Sequence, residues 1–200
     1  MDVTPTKLPG VLRLTPRRFG DGRGHFSETW NAERMRELGL EAAFLQDNQS
    51  YSAQQGTVRG LHFQAPPHAQ TKLVRVTAGA IRDVAVDIRI GSPNYGRWVA
   101  EDLSAENGVQ LLIPAGFLHG FVTLLPGTVV VYKVDARYAP ECEGAVRFDD
   151  PDLAIDWGLS SDSVFLSDKD AIAPPFAALR SPFRYLGATP GARVERVAAV

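Results

Sequence analysis

Between residues 81 and 90 the chain reads Ile-Arg-Asp-Val-Ala-Val-Asp-Ile-Arg-Ile, so Val84, Val86, Ile88 and Ile90 alternate with Asp83, Asp87 and Arg89. Successive side chains of an extended strand point to opposite faces, and this period of two predicts a strand with one apolar face. Similar segments recur. Phe44 to Tyr51 reads as a strand with Gln46 and Asn48 on one face. Arg59 to Gln64 puts His62 and Gln64 on one face with Leu61 and Phe63 on the other, and Thr128 to Val134 points Tyr132 and Lys133 in opposite directions. Gly10 to Leu14 reads as an edge strand or an arm. Turn signals separate these pieces at Asp21-Gly22-Arg23-Gly24, Gln54-Gln55-Gly56 and Ser92-Pro93-Asn94-Tyr95-Gly96. Many short, evenly spaced strands without a βαβ rhythm predict a mainly β chain, an antiparallel barrel or jelly roll. One clear helix is expected in the first half, from about Ala32 to Leu38, with Asn31 as its cap and Gly39 at its end. Helices return only weakly near the C-terminus.

Two hundred residues suit a single domain. Residues 1–186 are expected to form it, with 187–200 as a loosely ordered tail of small and polar residues. A net charge of −2 and the lack of a polybasic run exclude the footprint of a nucleic-acid binder. Cys142 is the only cysteine, which excludes an internal disulfide and a thiolate metal site and fits a reducing compartment. No stretch approaches the roughly 20 apolar residues of a membrane span, and MDVTPTKLPG has no apolar leader core. A cytoplasmic protein is the expectation.

His62 stands out chemically. Imidazole exchanges a proton near neutrality, and Arg59 before it and Lys72 after it suggest an anionic ligand. A single histidine in a strand is nevertheless more often packed than catalytic. Lys72 reads equally well as a surface lysine at a barrel mouth, and Tyr132 as an ordinary strand residue with its hydroxyl at the rim.

Five blocks taken together carry more information. Arg59-Gly60-Leu61-His62-Phe63-Gln64, Gln70-Thr71-Lys72-Leu73-Val74, Asp83 to Arg89, Pro114-Ala115-Gly116-Phe117-Leu118-His119-Gly120-Phe121 and Tyr132-Lys133 resemble, in order, the signature blocks of the dTDP-4-dehydrorhamnose 3,5-epimerases, a cupin-fold family. The resemblance spans about residues 10 to 175. It implies a small jelly-roll barrel, a homodimer in which an N-terminal arm of about residues 1–20 crosses to the partner, and a dTDP-linked 4-keto-6-deoxy sugar as substrate. It implies His62 as the base, backed by Asp170 of Ser167-Asp168-Lys169-Asp170, with Asp168 a solvated turn residue. Lys72 would face the developing enolate, and Tyr132 would be the acid on the opposite face. His119 would pair with Asp83, to bind a sugar hydroxyl, to polarise the C4 ketone or only to order the pocket. Arg23 and Arg59 would lie near the diphosphate. Glu28, Gln46, Asn48, Glu143 and Lys169 would contact the nucleotide sugar, with Phe19 and Phe26 flanking the thymine and Tyr138 stacked on it.

Metal-binding cupins offer a His-x-His pair, a later Glu and a second-block His. Here Gln64 and Lys72 stand at two of those places, and an amide and an ammonium are poor replacements. The barrel is therefore expected to work without metal or other cofactor. Two departures from the family concern the nucleotide contacts: Phe148-Asp149-Asp150-Pro151 replaces a Trp-Asn-Asp-Pro motif, and Cys142 lies within Glu141-Cys142-Glu143-Gly144. His25 and His68 read as loop residues without a role. Epimerisation at C3 and C5 is the expected activity. Epimerisation at one carbon and 3,4-ketoisomerisation are close alternatives, and a metal-dependent cupin or a non-catalytic sugar-nucleotide binder are more distant ones.

Overall fold

The computed structural model describes residues 1–40, 42–160 and 163–187; the expected tail lies outside these from residue 188 onward. Strands dominate: β1 (Asp2–Pro5), β2 (Leu12–Thr15), β3 (Phe19–Asp21), β4 (Gly24–Phe26), β5 (Gln46–Ser52), β6 (Val58–Gln64), β7 (Lys72–Ala78), β8 (Ala80–Asp87), β9 (Trp98–Ser104), β10 (Gln110–Ile113), β11 (Phe117–Thr123), β12 (Thr128–Val134) and β13 (Glu143–Ala145). They build an antiparallel six-stranded sheet in the order β1-β2-β10-β7-β12-β5, a five-stranded sheet in the order β13-β6-β11-β8-β9 and a separate two-stranded hairpin of β3 and β4. Val74, Val76, Leu111, Ile113 and Val130 of the first meet Ile81, Ala85, Val99, Leu103, Phe117 and Phe121 of the second in one buried cluster. This is the jelly-roll sandwich that the strand rhythm predicts.

The alternation in β8 is inverted relative to a simple surface strand. Val84, Val86 and Ile88 face outward, where Phe148, Leu153, Trp157 and Phe183 of the C-terminal segment cover them. Asp83 and Asp87, which the pattern sets apart as the polar face, point into the sandwich and are fully buried. Asp87 is paired there with Arg89 at 2.6 Å and accepts the Ser92 hydroxyl at 2.7 Å. A buried carboxylate needs such partners. The polar interior of this barrel end is what leaves room for a site.

Helix α1 (Ala32–Glu37) forms where its cap requires, with Asn31 Oδ1 accepting from the backbone N–H groups of Glu33 and Arg34. Its Met35 packs with Leu14, Leu73 and Leu112 on the outer face of the six-stranded sheet. A four-residue helix α2 (Asp168–Ala171) is capped by Ser167. Gly10 to Leu14, expected as an edge, contributes to β2, which is covered on its outer side by β1. β1 went unseen because it is four residues long and ends in a proline. His25 lies in β4 rather than in a loop.

Candidate active site

A local irregularity in β6 places two of the chemically distinct side chains together. β6 pairs His62 with His119 but Arg59 with Phe121, so three steps on β6 match two on β11. The extra residue is a bulge, which turns the following side chains to the other face. Val58, Leu61 and Phe63 therefore pack outside, while Arg59 and His62, three apart, both reach the inner cleft. Gly60 makes this possible. Its φ is +132°, and a Cβ there would stand 2.5 Å from Gly120 Cα and 2.9 Å from the His119 carbonyl oxygen.

The cleft, about 430 Å³, is lined by Arg59, His62, Lys72, His119, Tyr132, Lys169 and Asp170 among the residues expected from sequence. His62 and His119 belong to the five-stranded sheet; Lys72 and Tyr132 belong to β7 and β12 of the facing sheet. Imidazole and phenol thus stand on opposite walls of one cavity. Asp170 Oδ1 lies 2.6 Å from His62 Nε2, and Asp168 is exposed. The segment carrying Asp170 is pinned to the barrel by Val58 N–H donating to the Phe165 carbonyl and Phe165 N–H donating to the Gly56 carbonyl, both at 2.9 Å. Burial acts to raise the Asp170 carboxyl, but its bonds to His62 and Ser167 outweigh this and hold it below the usual range. It is therefore ionised at neutral pH, and its bond to one ring nitrogen fixes the orientation of the imidazole.

Deeper in the barrel, His119 Nε2 is 2.6 Å from Asp83 Oδ1. Burial lowers the His119 pKa, with the Asp83 charge opposing. The second oxygen, Asp83 Oδ2, is buried without a hydrogen-bond partner among the described residues. Lys72 faces this region, and burial pulls its ammonium down to about pKa 8 against the attraction of Asp83 and Glu143. Burial also raises the Tyr132 phenol, so it stays protonated well above neutrality.

At the rim a chain of contacts joins further expected residues. Lys169 Nζ is 2.5 Å from Glu143 Oε1, and the Tyr138 hydroxyl donates to Glu143 Oε2 at 3.0 Å. Burial works to raise the Glu143 carboxyl, but Lys169 and Tyr138 outweigh it and hold it low. Tyr138 N–H donates to Gln46 Oε1 at 3.3 Å, and Gln46 Nε2 donates to Asn48 Oδ1 at 2.8 Å. Gln64 is committed to structure: its amide donates to the carbonyls of His68 and Arg137 and accepts from Ala139 N–H. No group of three or more His, Cys, Asp or Glu side chains suited to a metal ion occurs among the described residues.

Asp83, Gln46, Asn48, Tyr138 and Glu143 do not line the cleft itself but bond to its lining residues or to one another, and four further expected residues do neither. Phe19 and Phe26 pair across the β3–β4 hairpin and are 53% and 71% exposed. Arg23, at the hairpin turn, contacts Asp21, and Glu28 contacts Arg34 at 3.0 Å. Conversely, Ser50, Gln54, Thr57, Phe121, Phe165 and Leu166 line the cleft without having been singled out. Ser50 had a legible signal, because it shares its strand face with Gln46 and Asn48.

Fold and site together define a cupin-type jelly-roll enzyme whose cleft presents proton-transfer groups from both sheets. A profile of the family described as dTDP-4-dehydrorhamnose 3,5-epimerase matches residues 5–178. A Sinorhizobium fredii protein of that name is 51% identical over 176 residues, covering 88% of this chain and 90% of the relative. Among solved structures, the Bacillus anthracis dTDP-4-dehydrorhamnose 3,5-epimerase with TDP and PPi bound is 49% identical with a TM-score of 0.84, covering 87% of this chain and 98% of that one. The Legionella pneumophila dTDP-6-deoxy-D-glucose-3,5-epimerase in complex with dTDP-4-keto-L-rhamnose is 44% identical with a TM-score of 0.88, covering 93% and 99%. The chain belongs to the dTDP-4-dehydrorhamnose 3,5-epimerase family.

Proposed function

We propose that the protein converts dTDP-4-dehydro-6-deoxy-D-glucose to dTDP-4-dehydro-L-rhamnose by inverting C3 and C5. The carrying observation is the placement of His62 and Tyr132 on opposite walls of one cleft, with Lys72 also lining it. Hydrogens at C3 and C5 are acidic because each carbon adjoins the C4 ketone. His62 takes the proton, the C–H electron pair moves to the C4 oxygen as an enolate, and the Lys72 ammonium stabilises that oxygen in a partly dry site. Collapse of the enolate takes a proton from the Tyr132 hydroxyl on the other face. Exchange with solvent then resets phenolate and imidazolium. The test is to incubate the protein with dTDP-4-dehydro-6-deoxy-D-glucose in D2O and examine the product by NMR. Deuterium at both C3 and C5 with L-rhamno configuration supports the reading; inversion at one carbon or a 3-keto product overturns it.

The Lys72 role has a pH signature. The ammonium is the working form, so kcat/KM is expected to fall about tenfold per unit above pH 8, as Lys72 loses its proton. Tyr132, raised by burial, does not titrate in that window. Lys72→Arg keeps the charge to far higher pH and removes the alkaline limb, whatever its absolute rate. The stability consequence has the opposite direction. The unfolded chain holds the Lys72 proton up to about pH 10.4 while the folded one releases it near 8, so this group makes the fold more stable as pH rises through that interval.

The protein works as a homodimer, its domain comprising residues 1–186, and the N-terminal arm acts through the β3–β4 hairpin. Phe19 and Phe26, side by side and exposed, then flank the thymine in the cleft of the second copy, with Arg23 near the diphosphate and Glu28 near the sugar. Within one chain β1 and β2 remain in their own sheet. A solution mass near twice 21.8 kDa is the expected result of light scattering, and a monomeric mass contradicts it. No helix among the described residues is long and apolar enough to cross a membrane, and the single cysteine suits a cytoplasmic enzyme.

A further inference from the structure

β5 carries a row of polar side chains on one face, and Ser50 of that row lines the cleft. Gln46, Asn48 and Ser50 alternate with more exposed residues and stand opposite Val134, Tyr132 and Val130 of β12. Gln46 and Asn48 bond each other, and Ser52, the next residue on that face, accepts from Arg59 Nε at 3.3 Å. Ser50 lies between them. It lines the cleft with Arg59, His62 and Tyr132, yet its Oγ is shielded from solvent and has no hydrogen-bond partner among the described residues. A buried hydroxyl without a partner is uncommon in a native fold and calls for an explanation.

Nothing in the wall around Ser50 supplies one. Its cross-strand neighbour is Val130, and Phe121 closes the cleft from the other sheet. On one side Gln46 and Asn48 bond each other, and on the other Ser52 accepts from Arg59. A group that enters the cavity can supply the partner, since a single χ1 step between staggered wells turns a serine hydroxyl from wall to cavity.

The geometry points to Ser50 as a positioning residue that hydrogen-bonds a hydroxyl of the bound sugar and so sets the ring against Tyr132. The inference rests on the reading that the cleft takes a nucleotide-linked sugar. A hydroxyl, both donor and acceptor, suits a neutral pyranose hydroxyl, while the charged diphosphate is matched by a guanidinium such as Arg59.

Ser50→Ala tests this through binding, independently of turnover. Calorimetric titration with dTDP-glucose, which carries the hydroxyls but no ketone, is expected to show about tenfold weaker binding than wild type, the effect of one lost hydrogen bond. Affinity for dTDP alone is expected to stay within twofold. Because the hydroxyl has no partner among the described residues, the thermal midpoint of Ser50→Ala should be equal to or above that of wild type. Ser50→Thr, which keeps a hydroxyl, should recover most of the lost affinity. Unchanged dTDP-glucose binding overturns the inference, as does an equal loss for dTDP, which would put the contact on the nucleotide. A lowered midpoint would make Ser50 a structural residue. Wild-type protein that binds dTDP-glucose but leaves the 4-keto sugar unchanged would overturn the proposed function and leave the Ser50 assignment standing.

Discussion

His62→Ala is expected to lower kcat about 10³- to 10⁴-fold and to abolish deuterium uptake from solvent at both C3 and C5. Both effects follow from one loss. Without the imidazole no group on the five-stranded wall is placed to accept the substrate proton: His119 is locked to Asp83 deeper in the barrel, and burial disfavours its charged form. Asp170 cannot substitute, because its carboxylate is held 2.6 Å behind the ring, with the imidazole between it and the substrate side of the cleft. The substitution should leave the fold intact, since His62 lies on the cleft face and the packing of β6 is carried by Val58, Leu61 and Phe63. Residual uptake at one carbon comparable to wild type would show that a second base serves that centre.

Tyr132→Phe should separate exchange from inversion. Product formation is expected to fall about 10²- to 10³-fold, while unreacted substrate recovered from D2O carries deuterium with its original configuration. The reason is positional. His62 can still remove a proton, trade it with solvent and return deuterium to the same face. The opposite face has lost its donor, because the phenol that burial kept protonated is gone. Lys72 remains on the six-stranded wall, so the enolate still forms. Isotope analysis of recovered substrate by NMR or mass spectrometry checks this. Loss of exchange in parallel with product would mean that Tyr132 takes part in proton removal.

Much of the fold was legible because strand alternation is a local property. β12 runs over Thr128–Val134, and α1 begins one residue after Asn31, both as expected. Alternation states which side chains share a face and is silent on which face meets solvent. In β8 the carboxylates turned out to be inside, because the C-terminal segment covers the valines. Strict alternation would also set Arg59 on the face of Leu61. Only the bulge at Gly60 brings it round to His62, and the extra residue depends on how closely β11 approaches.

The site was legible in a different way. His62 and Asp170 are 108 residues apart, and no periodicity links them. Their pairing followed from resemblance to a family and is met by the geometry, as is the pairing of His119 with Asp83. Phe165 and Leu166 escaped notice because an irregular segment carries them, and its path is set by two backbone bonds to β6 and the turn before it. Ser50 escaped notice although its face was correctly read, since a serine in a strand has no chemical signature until its neighbours are known. The hairpin residues Phe19, Arg23 and Phe26 do not line the cleft of their own chain, which no local pattern in the sequence could show.

The opposition of acid and base across the cleft is tested most directly by a single turnover in ordinary water. The substrate carries deuterium at C3 and C5, and the enzyme is in excess. Two separate groups on opposite walls predict a product with protium at both carbons, the original deuterium having left on His62. Deuterium kept in a measurable fraction of the inverted product would mean that one group removes and returns the same hydrogen, and would contradict the account.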